Sequence, residues 1–408
     1  MRKPVLTIFY QFNPWCSSIG GIQTVVRNFI KFAPPSFDVR LVGTGSQQMP
    51  AGRWYQQTID GRELLFFPLF NLENDDIRRW LPTSVKYTLS LLLKNFESDF
   101  IHFHRLEPAL AALNWSGHKS LFIHNDIRTK IATTGNRGIL WQRFPWAYFA
   151  LERQLIHQFD QILSCNSDAT GLYQAAYPSI RDRITTIRNT VDEDIFKSLS
   201  TAAADRQRQA FAHQMGLPAQ TRFLLFAGRL HPQKDPKLLV NAFSRIAAAD
   251  THLLIAGEGE LKPALKACIA QLGLEQRVTL LGAVEQLQLA HLYQMADAFV
   301  LSSAYEGLPM TVLEALSCGC PVVTTKAGET PRILKPLTGE VAAERTPEAF
   351  ANALSAVLNH PREQATRACV TAAAPFGASR VIGALYQNLW QIWQQQRSQQ
   401  TVTVPLVS

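Results

Sequence analysis

The strongest constraint on this chain is a rhythm that runs once and then starts again. Short apolar segments alternate with longer stretches of helical periodicity. In the first half Val5–Phe9, Val39–Val42, Leu64–Pro68, Phe100–Phe103, Ser120–His124 and Gln161–Ser164 read as strands. Helical patterns lie between them, at Gln23–Phe32, Pro82–Asn95 and Phe149–Phe159. A further strand, Ile184–Ile187, leads into a polar turn at Asn189–Ser200. The rhythm then resumes with strands at Phe223–Ala227, Thr251–Ala256, Val278–Leu281, Ala298–Leu301 and Pro321–Thr325, and helices at Pro236–Ala249 and Leu261–Leu272. Buried strands alternating with helices build a parallel sheet covered on both faces.

Two such units suit 408 residues better than one. The expected division is 1–190, 191–375 and a C-terminal segment, 376–408. In that segment Val381, Leu385, Leu389 and Ile392 mark a helix over Arg380–Gln396, expected to pack back toward the first domain, with a frayed end beyond Arg397. Open parallel sheets bind ligands at the carboxyl ends of their strands. Two sheets facing each other would enclose a cleft, a usual place for a substrate.

Composition removes several classes. With 47% apolar and 18% charged residues the chain is neither disordered nor fibrous. Its longest apolar runs, Leu64–Phe70 and Leu89–Leu93, fall far short of the ~18 residues of a spanning helix. The N-terminus is basic and then apolar, as in a signal peptide. It lacks a small-residue cleavage site and runs into Asn13-Pro14, so a first buried strand is expected. Of the cysteines at 16, 165, 268, 318, 320 and 369, only Cys318 and Cys320 are close, and no second pair completes a metal set. Buried or half-buried thiols in a reducing compartment are expected, which suits a cytoplasmic protein. The net charge of +8 is uneven: residues 1–190 hold 21 Lys/Arg against 14 Asp/Glu, and residues 191–375 hold 17 against 18. A basic first half attracts a phosphorylated ligand, an anionic membrane or nucleic acid. It has no aromatic strand for base stacking, which disfavours nucleic acid.

The chemistry concentrates in Glu306-Gly307-Leu308-Pro309-Met310-Thr311-Val312-Leu313-Glu314. This stretch follows the strand Ala298–Leu301 and enters a helix expected to reach about Cys318. Pro309 suits the first helical turn, where its missing N–H is no loss. The N–H groups of Met310 and Thr311 then point out of a helix N-terminus, which favours phosphate. Glu306 is placed to accept hydrogen bonds from sugar hydroxyls, and Glu314, over a turn further in, to hold a second polyol such as ribose. Two glutamates alone would read as solvated helix ends. They are not alone: Gly228-Arg229-Leu230-His231-Pro232-Gln233-Lys234 sets two cations at the carboxyl end of the strand Phe223–Ala227. A guanidinium and a compact ammonium suit a pyrophosphate.

Other groups are weaker signals. Gly20-Gly21 follows the first strand and opens a helix, allowing close backbone approach to a ligand. Such a pair is usually just a turn, and it is neither GxGxxG nor a Walker loop, which argues against dinucleotide redox and P-loop chemistry. His102 and His104 share one side of their strand, and His124 ends the next. Structural histidines are the plainer reading, although a strand's carboxyl end is where ligands bind. Asp192-Glu193-Asp194 lies in the interdomain turn and reads as structural.

Together these motifs resemble the retaining glycosyltransferases of family 4, of GT-B fold, nearly end to end. The resemblance rests on Gly20-Gly21, His102-x-His104, Ile123-His124, Asn189-Thr190-Val191-Asp192 with Phe196, and Gly228-Arg229-Leu230 with Lys234. It continues through Ala256-Gly257-Glu258-Gly259, Glu306-x7-Glu314 and Cys318-Gly319-Cys320-Pro321-Val322-Val323. It implies an α/β fold of two facing Rossmann-like doubly wound domains with a cleft between them. It implies a nucleoside-diphosphate sugar donor, UDP-sugar ahead of GDP-mannose, and a saccharide or lipid-linked hydroxyl acceptor in cell-surface polysaccharide or glycolipid synthesis. No metal, cofactor or nucleic acid is implied. Arg229 and Lys234 would hold the diphosphate, Glu306 the transferred sugar and Glu314 the ribose. Gly307, Leu308, Met310 and Thr311 would complete the donor site, Gly20-Gly21 would lie near the diphosphate, and His124 beside the donor sugar. Glu306, His124, Arg229 and Lys234 are thus the expected catalytic set. Asp235 stands where the family usually has Gly, Thr190 where Gly is frequent, and Arg332 where Glu is common, which bears on acceptor or base specificity. The alternatives are a nucleotide-sugar epimerase or hydrolase of the same architecture, or a non-catalytic basic sugar-binding protein. Glu306, Arg229 and Lys234 occurring together speak for an enzyme.

One basic stretch has a different character. Ile77-Arg78-Arg79-Trp80-Leu81-Pro82 is followed by Lys86, Tyr87, Leu89, Leu92, Leu93 and Lys94, with Arg128, Lys130, Arg137, Trp141, Arg143 and Trp146 as a second run. Cations interleaved with aromatics and leucines suit a peripheral helix on an anionic membrane, here its cytoplasmic face, as well as they suit a helix with a core-facing stripe.

Overall fold

A computed structural model describes residues 2–16, 20–72, 82–124, 144–246 and 248–402. The chain forms two compact units, Met1–Arg188 with Ser379–Ser408, and Asn189–Ala378.

In the first unit the strands are β1 (Val5–Phe9), β2 (Asp38–Gly45), β3 (Tyr55–Ile59), β4 (Arg62–Asn71), β5 (Phe100–Phe103), β6 (His118–Ile123), β7 (Gln161–Ser164) and β8 (Ile184–Thr186). They form one sheet in the order β3-β4-β2-β1-β5-β6-β7-β8. All pairings are parallel except β3 with β4, an antiparallel edge hairpin that the apolar pattern does not announce. Its helices are α1 (Gly21–Lys31), α2 (Thr83–Leu92), α3 (Pro145–Leu155) and α4 (Ser167–Ala176). Strand alternation divides the core. Phe9, Ile101 and Phe103 face a cluster with Tyr87, Leu91, Ala109, Leu155 and Tyr173. On the other face Phe29 of α1 meets His102 and Phe122 edge-on, at 5.8 and 5.0 Å. Each large apolar side chain so buried stabilises the unit by about 2 kcal/mol.

The second unit holds α5 (Thr201–Gln214), β9 (Arg222–Ala227), α6 (Pro236–Phe243), β10 (Thr251–Ala256), α7 (Lys262–Gln271), β11 (Val278–Gly282), α8 (Gln286–Met295), β12 (Ala298–Leu301), α9 (Met310–Ser317), β13 (Val322–Thr324), α10 (Thr330–Ile333), β14 (Gly339–Val341), α11 (Pro347–Leu358) and α12 (Arg362–Ala373). Its sheet is wholly parallel, in the order β11-β10-β9-β12-β13-β14. Phe223, Leu225, Phe299 and Leu301 pack against α8, α9 and α12. Leu224, Phe226, Ala298 and Val300 pack against α6, α7 and α11. The strand order turns back between β9 and β12, so the loops after these two strands diverge. That is where an open α/β sheet offers a ligand crevice.

The last helix, α13 (Ala378–Val402), runs well past the frayed end expected beyond Arg397. Tyr386 on it donates to the Phe29 carbonyl at 2.9 Å and packs edge-on to Phe37. Two further expectations change. Cys16 is exposed, while the other cysteines are buried or half-buried. Tyr87 is not on an interfacial helix face: it is fully buried and donates to the Val42 carbonyl at 2.6 Å. The basic run Ile77–Leu81, the residues from Arg128 to Arg143, and Ser18 and Ile19 before the glycine pair lie outside the described residues. Among the described residues no helix is long and apolar enough to cross a membrane.

Candidate functional site

Four loops meet at the carboxyl edge of the second unit's sheet, and backbone contacts lock them together. After β9 the chain turns at Gly228. After β10 it turns at Gly257, where φ is +143° and a Cβ would sit 1.9 Å from the Gly228 carbonyl oxygen, so only glycine fits. Leu230 N–H donates to the Glu258 carbonyl, which fastens the β10 loop to the β9 loop. The β12 loop is stitched to the β9 loop at three points. Ala304 N–H donates to the Gln233 carbonyl at 2.8 Å, the Gln233 amide to the Tyr305 carbonyl at 3.1 Å, and the Ser302 hydroxyl to the Lys234 carbonyl at 2.8 Å. The β13 loop closes from the other side. Glu329 N–H donates to the Gly307 carbonyl, and Gly328, at φ +66°, has no room for a Cβ beside the Glu306 and Gly307 carbonyls.

This frame brings Lys234 and Glu306 together although they are far apart in sequence. Lys234 Nζ lies 2.6 Å from Glu306 Oε1, with both side chains largely shielded from water. The pair occupies the switch point itself. Arg229, on the same loop as Lys234, is exposed, and among the described residues its side chain has no ion pair. Asp235, next to Lys234, adopts φ +42°, the left-handed region that explains why glycine suits this position. Aspartate tolerates it here because its carboxylate caps α6 through Leu238 N–H and pairs with Arg345.

Pro309 is the N-cap of α9, with extended ψ 134°, rather than a member of its first turn. Helical bonding therefore begins with Met310, and the first N–H groups, those of Met310 and Thr311, have no acceptor within the helix. The Thr311 hydroxyl is buried without a partner. Asn189 donates to the Leu308 carbonyl at 2.7 Å and fixes the approach to this helix. Glu314, further along α9, is buried, and burial pushes its carboxyl up to about 7. The Tyr293 hydroxyl, donating at 3.4 Å to Glu314 Oε2, acts in the opposite direction. Neither Tyr293 nor Ser302 had a signal in the sequence, because each is recruited by packing rather than by a motif.

In the first unit, Gly20 is the N-cap of α1 and Gly21 its first residue. A Cβ at Gly20 would meet only the flexible end of Gln23, and one at Gly21 would meet nothing. The fold itself thus leaves the surface over Gly21 open. His102 and His104 do share a face, both meeting Phe29 and Phe122. His104 Nδ1 and His124 Nε2 share one hydrogen bond of 2.9 Å, and their rings stack at 5.1 Å. Burial pushes the His124 imidazole down to about 4 and that of His104 well below its ordinary value, so both are neutral near pH 7. The Asp192–Asp194 turn is engaged structurally: Asp192 accepts from Asp194 N–H and Glu193 from Ala378 N–H. Among the described residues no group of three metal-ligating side chains occurs.

The sheet order, the anchored loops and the cation–carboxylate pair define a doubly wound α/β protein with a largely shielded ion pair at the topological switch point of its second sheet. The comparisons sharpen that class. The family model for glycosyl transferases group 1 matches residues 207–373, and that for glycosyltransferase family 4 matches residues 19–195. The chain belongs to the GT-B glycosyltransferases of this family 4 type. It is 28% identical over 241 residues to the D-inositol 3-phosphate glycosyltransferase of Mycobacteroides abscessus, an alignment covering 58% of this chain and 53% of that protein. The chain thus spans about half the length of that relative. A GDP-mannose-dependent monoacylated α-(1-6)-phosphatidylinositol monomannoside mannosyltransferase of Corynebacterium glutamicum is 24% identical over 373 residues, 89% of this chain and 91% of that one. The Anabaena protein HepE, solved with UDP and glucose, shares the fold at a TM-score of 0.70 and 18% identity, over 95% of this chain and 100% of that chain.

Proposed function

We propose that this chain transfers a hexose from a nucleoside-diphosphate sugar to a hydroxyl acceptor, with retention of anomeric configuration. The observation that carries this is the Lys234–Glu306 pair at the switch point, flanked by exposed Arg229 and the N-terminus of α9. As the glycosidic bond breaks, negative charge gathers on the departing diphosphate. Preorganised donors meet that charge: the Arg229 guanidinium, the Lys234 ammonium and the N–H groups of Met310 and Thr311. When the diphosphate takes Lys234, the Glu306 carboxylate is released to accept hydrogen bonds from the sugar. Glu314 accepts from the ribose. We assign no side chain the role of covalent nucleophile. Front-side attack is the mechanism we assign, with a donor phosphate oxygen taking the acceptor's proton. Arg229, Lys234 and the helix N-terminus supply the positive charge, so we assign no metal.

The UDP and glucose bound to HepE favour a UDP-sugar, and the Corynebacterium relative's name makes GDP-mannose the competitor. The acceptor we assign is a saccharide or lipid-linked hydroxyl of cell-surface polysaccharide or glycolipid synthesis. A thermal-shift panel of nucleoside diphosphates and then of their sugars tests the donor. Stabilisation by UDP and one UDP-sugar is expected, and stabilisation by GDP and GDP-mannose alone would overturn the base assignment. Proton NMR of the product's anomeric centre tests retention. Isomerised donor as the sole product would make the protein an epimerase.

A further inference from the structure

One helical layer of the first unit turns apolar side chains outward. α2 ends with Leu89 52%, Leu92 46% and Leu93 90% exposed. The 3-10 turn Glu107–Ala112, on which α2 packs, is followed by Leu113, 45% exposed. α3 opens with Phe144 and Trp146, 48% and 72% exposed. The inward residues of these same elements, Tyr87, Leu91, Ala109, Ala112, Tyr148 and Leu155, all belong to one core cluster over one face of the sheet. The outward six therefore share the solvent side of a single layer. Two cations edge it, each with its ammonium over an aromatic ring: Lys86 Nζ lies 4.3 Å from the Phe70 ring centroid and Lys94 Nζ 5.9 Å from that of Phe67.

We propose that this layer is a membrane-docking face that seats on an anionic lipid leaflet. Isolated exposed leucines need no explanation, but six large apolar groups on one layer do. Charge selects the occupant. Residues 1–190 carry a net +7, against −1 for residues 191–375. A second copy would bring the same positive domain against this one, whereas an anionic leaflet attracts it. A leaflet also suits the residue types: leucines enter the acyl boundary and Trp146 sits at the headgroup level. The face deepens the proposed activity, on which it rests only for its consequence: the acceptor is then lipid-borne and is met at the membrane surface.

The test is co-sedimentation of the full chain with vesicles of phosphatidylcholine and phosphatidylglycerol, and with vesicles of phosphatidylcholine alone. Binding to the anionic vesicles that weakens with added salt is expected. Leu93→Glu with Trp146→Glu should lower the bound fraction at least about tenfold, while UDP titration stays unchanged. The milder Leu93→Ser should weaken binding in the same direction, which guards against a folding defect in the double variant. Absence of vesicle binding at low salt, or binding that neither variant alters, would overturn the proposal. So would a dimer, seen by sedimentation velocity, that the double variant dissociates while vesicles capture nothing. Because vesicle binding is read without activity, its failure and the failure of glycosyl transfer are distinguishable.

Discussion

His102 should make the first unit acid-labile. It is 0% exposed, its two ring nitrogens have no hydrogen-bond partner, and it is walled by Phe29 and Phe122. Burial, with nearby His118 adding repulsion, pushes its imidazole down to about 3. In the unfolded chain the same group titrates near 6.5. Below that value the unfolded state takes up a proton that the folded state refuses, so stability falls as pH falls. Between pH 7 and pH 5 the loss is about 2 kcal/mol for this one histidine. For a unit of this size that corresponds to a fall in Tm of about 4–8 °C. His102→Leu removes the titration and the two unpartnered nitrogens together. The variant should match or exceed the wild type at pH 7.5 and lose about 2 kcal/mol less on acidification to pH 5. Urea unfolding followed across this range measures both. Parallel stability–pH curves for wild type and variant would refute the reasoning.

Four further outcomes follow from the site. Asp235→Ala keeps the left-handed backbone and loses the cap of α6, so it should cost about 1–2 kcal/mol, whereas Asp235→Gly should cost only a few tenths of that; urea midpoints compare them. Gly328→Ala must push the Glu306–Gly307 loop aside, and turnover should fall about a hundredfold with the fold retained by circular dichroism. Burial pushes the Glu314 carboxyl up to about 7, and in the proposed donor site it is the carboxylate form that would accept ribose hydroxyls. UDP affinity should therefore rise from pH 6 to pH 8 in the wild type and stay flat in Glu314→Gln, as read by calorimetry. In the same assay Glu306→Ala should weaken UDP less than Glu314→Ala does, and the reverse order would exchange their roles.

The alternating cores were legible because apolar periodicity is set locally: β9, β10 and β12 start and stop within a residue or so of their expected bounds. What escaped was structure held by neighbours. β3, Tyr55–Ile59, is polar on alternate positions and is a strand only because it pairs with β4. The three-residue β14 likewise exists through its parallel partner β13. α6 stops at Phe243, short of the expected Ala249, with Ser244 turning its hydroxyl back to the Asn241 carbonyl. In the site, Lys234 and Glu306 could be singled out from their motifs, but not their ion pair, which depends on the sheet placing β9 beside β12. The buried state of Glu314 was equally hidden, since it comes from α8 packing Tyr293 against α9.

The most direct test of the central claim is calorimetric titration of UDP into the wild type, Arg229→Ala and Lys234→Ala. The account predicts binding by the wild type and a loss of affinity in each variant of about tenfold or more, as expected when a charge-assisted contact to phosphate is removed. Affinity in both variants equal to that of the wild type would contradict the assignment of this sheet edge as the donor diphosphate site.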